Sequence, residues 1–203
     1  MTELRTREEI RAHYAEPHAL ALNKELQRLD YHCCQFISLS PFLVLSTSDS
    51  AGRCDATPRG GPPGFVAVAD DRTLLIPDTA GNNRVDALLN IADNPHVGLL
   101  FLVPGMAETL RINGRAAITI APGILGMLAT EGKLPRAAIR VDIEEIYFQC
   151  GKALMRSELW NADRHVPRET FAPFGQIFSE HSKAPYDPGL ERILDEEYRS
   201  NLY

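Results

Sequence analysis

Leu74-Leu-Ile-Pro-Asp78-Thr-Ala-Gly81-Asn82-Asn83-Arg84-Val-Asp86 is the stretch on which the reading of the fold turns. An apolar strand runs into a loop of small residues that opens a helix. Gly81 lets the backbone turn, Asn82 is a favoured N-cap type, and a helix starting at Asn83 presents unpaired N–H groups beside the Arg84 guanidinium. That combination predicts an anion seat able to hold a phosphate from two sides. An ordinary capped helix with a solvated arginine carries the same signature, so the neighbouring segments have to decide.

Upstream, Pro41-Phe-Leu-Val-Leu-Ser-Thr47 is short, β-rich and continuously apolar, the pattern of a buried strand, and Asp49-Ser-Ala-Gly52 turns the chain. Further strands are predicted at 53–57, 65–69 and 73–76, separated by the Gly60-Gly-Pro-Pro-Gly64 loop and the Asp70-Asp71 turn; the four together suggest an antiparallel meander. The helix from Asn83 to Ala92 would bury Val85, Leu88, Leu89 and Ile91 and stop at Asp93-Asn94-Pro95. Strands follow over 97–103 and 109–120, with Pro104-Gly105 turning between them, then a short helix over 122–128 and a long strand over 137–149.

At least six antiparallel strands in so short a span favour a mainly β (α+β) fold, an antiparallel split β-barrel with helical caps, because closure removes exposed edges. The expected organisation is an N-terminal helical cap over 1–30, the barrel over 31–160 and a surface-wrapping tail over 161–203. The cap has a partial stripe of Leu20, Leu22, Leu26 and Leu29 interrupted by Pro17; the tail has prolines at 167, 173, 185 and 188 and a charged helix over 190–198.

The chain has 203 residues, 44% of them hydrophobic, which suits one domain with a proper core. Its net charge of -6 and lack of a dense Lys/Arg run argue against a nucleic-acid surface. No apolar run approaches the ~18 residues of a membrane span and no signal core follows the N-terminus, so a cytoplasmic protein without a membrane partner is expected. Cys33, Cys34, Cys54 and Cys150 have neither zinc-site nor disulfide-framework spacing, and the six histidines are scattered, so no metal is expected.

Three arginines recur at strand ends: Arg59 in Thr57-Pro-Arg-Gly60, Arg84 after the glycine turn, and Arg111 in Glu108-Thr-Leu-Arg-Ile-Asn113. In a barrel such ends can converge on one rim, where two guanidinium groups hold a phosphate by charge-assisted, bidentate bonds. Singly, each reads first as a solvated charge, and it is together with the Asn82-Asn83 cap that they favour a phosphorylated ligand. There is no Gly-x-Gly-x-x-Gly, Walker or Gly-x-Ser-x-Gly motif, and no acid or base is marked, so the catalytic residues stay unassigned. Phosphate anchors without a nucleophile suit a bound cofactor that carries the chemistry.

Over about residues 30 to 160 the chain resembles the FMN-binding split barrels related to pyridoxamine 5′-phosphate oxidase, in a branch other than the vitamin B6 oxidase itself. The resemblance rests on Asp55-Ala-Thr-Pro-Arg-Gly-Gly-Pro-Pro-Gly-Phe65, Ile76-Pro-Asp-Thr-Ala-Gly-Asn-Asn-Arg84, Asn94-Pro-His-Val-Gly-Leu-Leu-Phe101, Glu108-Thr-Leu-Arg-Ile-Asn-Gly-Arg115 and Lys152-Ala-Leu-Met-Arg-Ser-Glu-Leu-Trp160. It implies a homodimer with FMN at the subunit interface.

By the same resemblance, Asn82, Asn83 and Arg84 stand where the family has a Ser-Arg-Lys turn on the flavin phosphate, at the loss of one cation that Arg59 could restore. Pro77 and Asp78 correspond to the strand end against the flavin ring, and Thr109 to a glutamine near the ring's polar edge. The family's partner-chain Trp-Gln-Gly segment reads Gln149-Cys150-Gly151 here, while Lys152, Arg156 and Trp160 could line a pocket or touch the flavin. The Arg-x-His pair of the B6 oxidases is replaced by Arg156-Ser157-Glu158. The expected function is an FMN-dependent oxidoreductase acting on an unidentified small molecule or NAD(P)H. Alternatives are a flavin-binding or storage protein without turnover, and a split barrel holding haem or a deazaflavin.

Overall fold

The computed structural model describes residues 3–200; the first two residues of the expected N-terminal cap and the last three of the expected tail lie outside it. Helix α1 (Arg7–His13) starts in a capping box, with Thr6 and Glu9 each bonding the other's backbone N–H. Neither it nor α2 (Ala19–Leu22) buries a residue. The chain then straps across the barrel: Leu26 exchanges two 2.8 Å backbone bonds with Ile146, and Leu29 N–H donates to Asp71. Sequence pattern marks 31–39 only as a connection, yet it forms helix α3 (Tyr31–Leu39). The Asp30 carboxylate caps the Cys33 N–H at 2.8 Å, and Cys33, Phe36 and Ile37 are buried on one face.

The strands are β1 (Phe42–Ser48), β2 (Cys54–Gly60), β3 (Ala67–Asp70) and β4 (Thr73–Asp78); after helix α4 (Asp86–Asp93) come β5 (His96–Leu102) and β6 (Thr109–Thr119). Helix α5 (Pro122–Met127) leads to β7 (Ala137–Gln149), and α6 (Lys152–Ser157), α7 (Phe174–Ser182) and α8 (Gly189–Ser200) complete the chain. The seven strands form one antiparallel sheet in the order β2-β1-β5-β6-β7-β4-β3. The expected four-strand meander is therefore two hairpins at opposite ends of the sheet. Strand β5 takes the place beside β1, where Leu43 and Leu45 meet Phe101 and Leu99 in a fully buried layer.

Alternation sets the inner face: Leu43, Leu45, Leu74, Ile76, Leu99, Phe101, Leu110, Ile112, Ile139, Val141 and Ile146 are buried together. The long strands β6 and β7 bend where Asn113 pairs with Glu145 but Gly114 pairs with Ile143, leaving Glu144 as the extra residue of a bulge. A Cβ on Gly114 would lie 2.2 Å from the Asp142 carbonyl oxygen, so glycine is required there. The sheet curls far enough that Arg59, on edge strand β2, bonds Asp78 of β4 at 2.7 Å. Among the described residues no backbone ladder joins β2 to β3 or β4. Side chains close the barrel at this seam, and the fold is a split barrel.

Candidate functional site

The seam opens into a polar cleft of about 480 Å³, within the usual range for small-ligand sites. Strand β2 contributes 55–60, β4 contributes Pro77 and Asp78, and the loop 79–85 with Asp86, Ala87 and Arg136 completes it. Arg59 and Asp78 are held with side chains 20% and 14% exposed. Arg59 spends one guanidinium nitrogen on Asp78, while its Nε–H is buried without a partner. A buried donor left unmade is costly, so this N–H calls for an acceptor in the cleft.

The loop departs from the expected helix start. Helix α4 begins at Asp86, three residues later than predicted, because Asn83 (φ 60) and Val85 (φ 52) are left-handed and break the helical phase. Asn82 is not an N-cap; its side chain accepts the Arg84 N–H at 3.1 Å in a local turn. Val85 and Leu89, expected inside, are exposed, and Ala87 and Ile91 take the buried positions with Leu88 partly covered. A left-handed valine is a strained choice, because its branched side chain crowds the backbone.

Arg84 Nε–H donates to the Asp86 carboxylate two residues on, at 2.8 Å, and its side chain is mostly exposed. A third guanidinium, which no local motif announces, comes from the loop before β7. The Arg136 N–H donates to the Asp78 carbonyl at 2.9 Å, and its side chain bonds the Asn83 amide oxygen. The register of β7 against β4, with Ala137 opposite Asp78, is what delivers it. Arg59, Arg84 and Arg136 thus surround one cleft with Pro77, Asp78, Asn82 and Asn83. The titratable side chains lining it are these arginines and Asp55, Asp78 and Asp86.

The remaining predicted residues lie elsewhere. Arg111 does not share the rim with Arg59 and Arg84 as expected: period-2 alternation turns it to the outer face of β6. There its guanidinium sits 5.6 Å from the Tyr147 ring centre and its Nε–H donates to Asn113 at 3.4 Å. The shallow depression it lines shares only Asp55 and Ala56 with the cleft. Thr109 is buried, opposite Gln149. Arg156 Nε–H donates to the Lys152 carbonyl on α6, and Trp160 Nε1–H to the Met106 carbonyl at 2.7 Å, pinning the end of this segment to the β5–β6 turn. Lys152, Arg156 and Trp160 do not line the seam cleft.

On the outer face of β1 and β5, Phe42 pairs with Leu102 and Val44 with Leu100, an apolar strip where alternation would put polar side chains. Among the thiols, Cys33 is buried and pushed up to about 12 by desolvation, whereas Cys54 and Cys150 are exposed. No helix among the described residues is long and apolar enough to cross a membrane.

No curated protein matches this chain. Among solved structures, a HupZ variant from Group A Streptococcus is 17% identical with a TM-score of 0.50, over 59% of this chain and 98% of that one. The General Stress Protein 26 of Bacillus anthracis is 16% identical, with a TM-score of 0.43 over 56% and 88% of the two chains. An FMN-binding protein from Syntrophomonas wolfei is 15% identical, with a TM-score of 0.42 over 55% and 76%. At these identities the likeness is one of fold. The family described as pyridoxamine 5′-phosphate oxidase matches residues 29–150, more than half of the sequence. The chain belongs to the pyridoxamine 5′-phosphate oxidase family.

Proposed function

We propose that the protein is an FMN-dependent oxidoreductase whose seam cleft holds the flavin phosphate. The observation that carries this reading is the unpartnered, buried Arg59 Nε–H beside Arg84 and Arg136. The fit is chemical: a phosphate offers acceptors to several guanidinium groups at once, and Arg136 supplies the cation that Asn83 does not. Arg84, tethered to Asp86, retains further N–H donors for a second side of the same phosphate. Pro77 and Asp78 end β4 at the cleft, where the backbone would lie against a ring system.

Bound FMN would supply the hydride chemistry. The protein's part is to anchor the phosphate, keep Asp78 engaged by Arg59 and hold the ring in a fixed orientation. In this reading Arg111, Lys152, Arg156 and Trp160 serve the flavin of a partner, while buried Thr109 only supports the strand that carries Arg111, which makes the protein a homodimer whose subunits meet over the Phe42–Leu102 strip. The substrate is a small molecule or NAD(P)H. Pyridoxamine phosphate is disfavoured, because the position of the second anchor holds Glu158, which is paired with Arg164.

The cleft presents arginines and aspartates but no nucleophile, which also suits a flavin carrier without turnover. An absorption spectrum of the purified protein, with an FMN fluorescence titration and anaerobic NADPH, separates the readings. Flavin bands that bleach support the oxidoreductase; bands that persist favour the carrier or another reductant. Failure to bind added FMN refutes the phosphate assignment, and haem or deazaflavin bands would redirect it.

A further inference from the structure

The C-terminal region leaves more apolar surface uncovered than a free helical hairpin tolerates. Every residue from 155 to 174 is exposed, so the chain after α6 runs over the surface as a tether with short 3-10 turns at Ala162–Arg164 and Arg168–Thr170. Helix α7 buries only Gly175 and Ser179, and Gly175 faces α8. A Cβ on Gly175 would lie 2.5 Å from a Glu191 carboxylate oxygen, and the Gln176 N–H donates to that carboxylate at 3.2 Å. Beside that buried pair α7 carries Phe174 and Phe178, one turn apart and exposed by 48% and 59% with their rings 6.5 Å apart, and Phe171, 69% exposed, stands in the extended segment just before the helix. Helix α8 buries nothing. Two helices of 9 and 12 residues, joined mainly through Gly175 and one carboxylate, lack the core to stand alone.

We propose that this hairpin is an arm whose aromatic face packs on a second copy of the chain. The tether root identifies the occupant. Trp160 is pinned to Met106, just past the end of β5, so the arm departs beside the outward apolar strip of Phe42, Val44, Leu100 and Leu102. A copy seated on that strip meets the arm where it leaves the barrel. The stretch from Trp160 to Phe174, which includes 3-10 turns at Ala162–Arg164 and Arg168–Thr170, spans up to about 38 Å, enough to cross onto the neighbouring subunit. The arm thus continues the same contact with a second apolar element. This rests on the homodimer proposed above, not on its flavin.

The test uses the full chain and a Phe171→Ser/Phe174→Ser/Phe178→Ser variant, which alters only exposed side chains and is checked for folding by circular dichroism. Self-association is measured by sedimentation across concentration, and amide hydrogen exchange is followed in α7. The expected result is a wild-type dimer whose α7 protection falls on dilution, and a variant whose dissociation constant rises about tenfold or more. A monomeric wild type overturns the proposal, as does an unchanged variant. Protection in α7 that ignores dilution places the arm on its own barrel and also overturns it. Absence of protection at every concentration does the same and leaves the aromatic face to a foreign partner. Neither readout involves flavin, so failure to bind FMN sinks the proposed function and leaves this result legible.

Discussion

Replacing Arg59 by methionine tests the seam as structure and as site at once. The substitution leaves the Asp78 carboxylate, 14% exposed, without the guanidinium that faces it at 2.7 Å. Orphaning one member of a fully buried pair costs about 3–5 kcal/mol, whereas exposed pairs contribute about 0–1. These partial exposures place the cost between, at about 2–3 kcal/mol. At about 2–4 °C per kcal/mol for a chain of this size, the melting temperature should fall by roughly 5–10 °C. The double variant Arg59→Met/Asp78→Leu removes the orphaned charge as well and should return to within about 1 kcal/mol of wild type. FMN affinity should behave differently, falling about 10- to 100-fold in both variants, since a charge-assisted bond is worth about 1.5–3 kcal/mol. Urea unfolding and flavin fluorescence titration read the two effects separately. A single variant as stable as wild type, or a double variant that regains FMN affinity, would refute the reasoning.

Arg84→Ala and Arg136→Ala should each weaken FMN binding by about 1.5–3 kcal/mol with little loss of stability, since neither pairs with a buried acid; unchanged titrations would move the site. Gly114→Ala forces a Cβ to 2.2 Å from the Asp142 oxygen and should cost more than about 2 kcal/mol in urea unfolding. Ellman's reagent should label Cys54 and Cys150 readily in the native protein and reach Cys33 only on unfolding, because burial pushes that thiol up to about 12. The raised Cys33 value stabilises the fold fully below the ordinary thiol range, and that contribution fades as pH climbs from there toward about 12. Asp30 is held below its ordinary range, chiefly by the Cys33 N–H. Its contribution is present above about pH 4 and vanishes as acid protonates it, so Asp30→Ala should cost about 1 kcal/mol at neutral pH and nothing in strong acid.

Local pattern placed the elements and missed what depends on distant pairing. Strands β6 and β7 fall within a residue of the expected ranges, because each is a long β-rich run bounded by turn residues, and the single bulge at Glu144 does not end either strand. Helix α3 escaped because Tyr31-His-Cys-Cys-Gln has few strong helix formers; a single carboxylate cap and burial of one face decide it. The start of α4 was misplaced because the competing left-handed turn at Asn83 and Val85 has no signature in a valine. Arg59, Asp78 and the loop 79–85, which the sequence marks by their residue types, line one cleft. Arg136 carries no such mark, since only the β4–β7 register brings it there. Arg111 lies apart from Arg59 and Arg84 because strand alternation turns it to the outer face of β6, which a strand-end position alone does not reveal.

The open seam also leaves two sheet edges, β2 and β3, with unpaired backbone groups, the usual templates for pairing between molecules. Pro58 removes one donor from the β2 edge, and β3 is only four residues long. The Arg59–Asp78 bridge guards the rest by placing charge where an incoming strand would have to lie. In the proposed reading, ligand recognition and protection against self-pairing therefore share the same few atoms. A change that enlarges the cleft for a new ligand also uncovers an adhesive edge, and redesign of this site has to treat solubility as part of its chemistry.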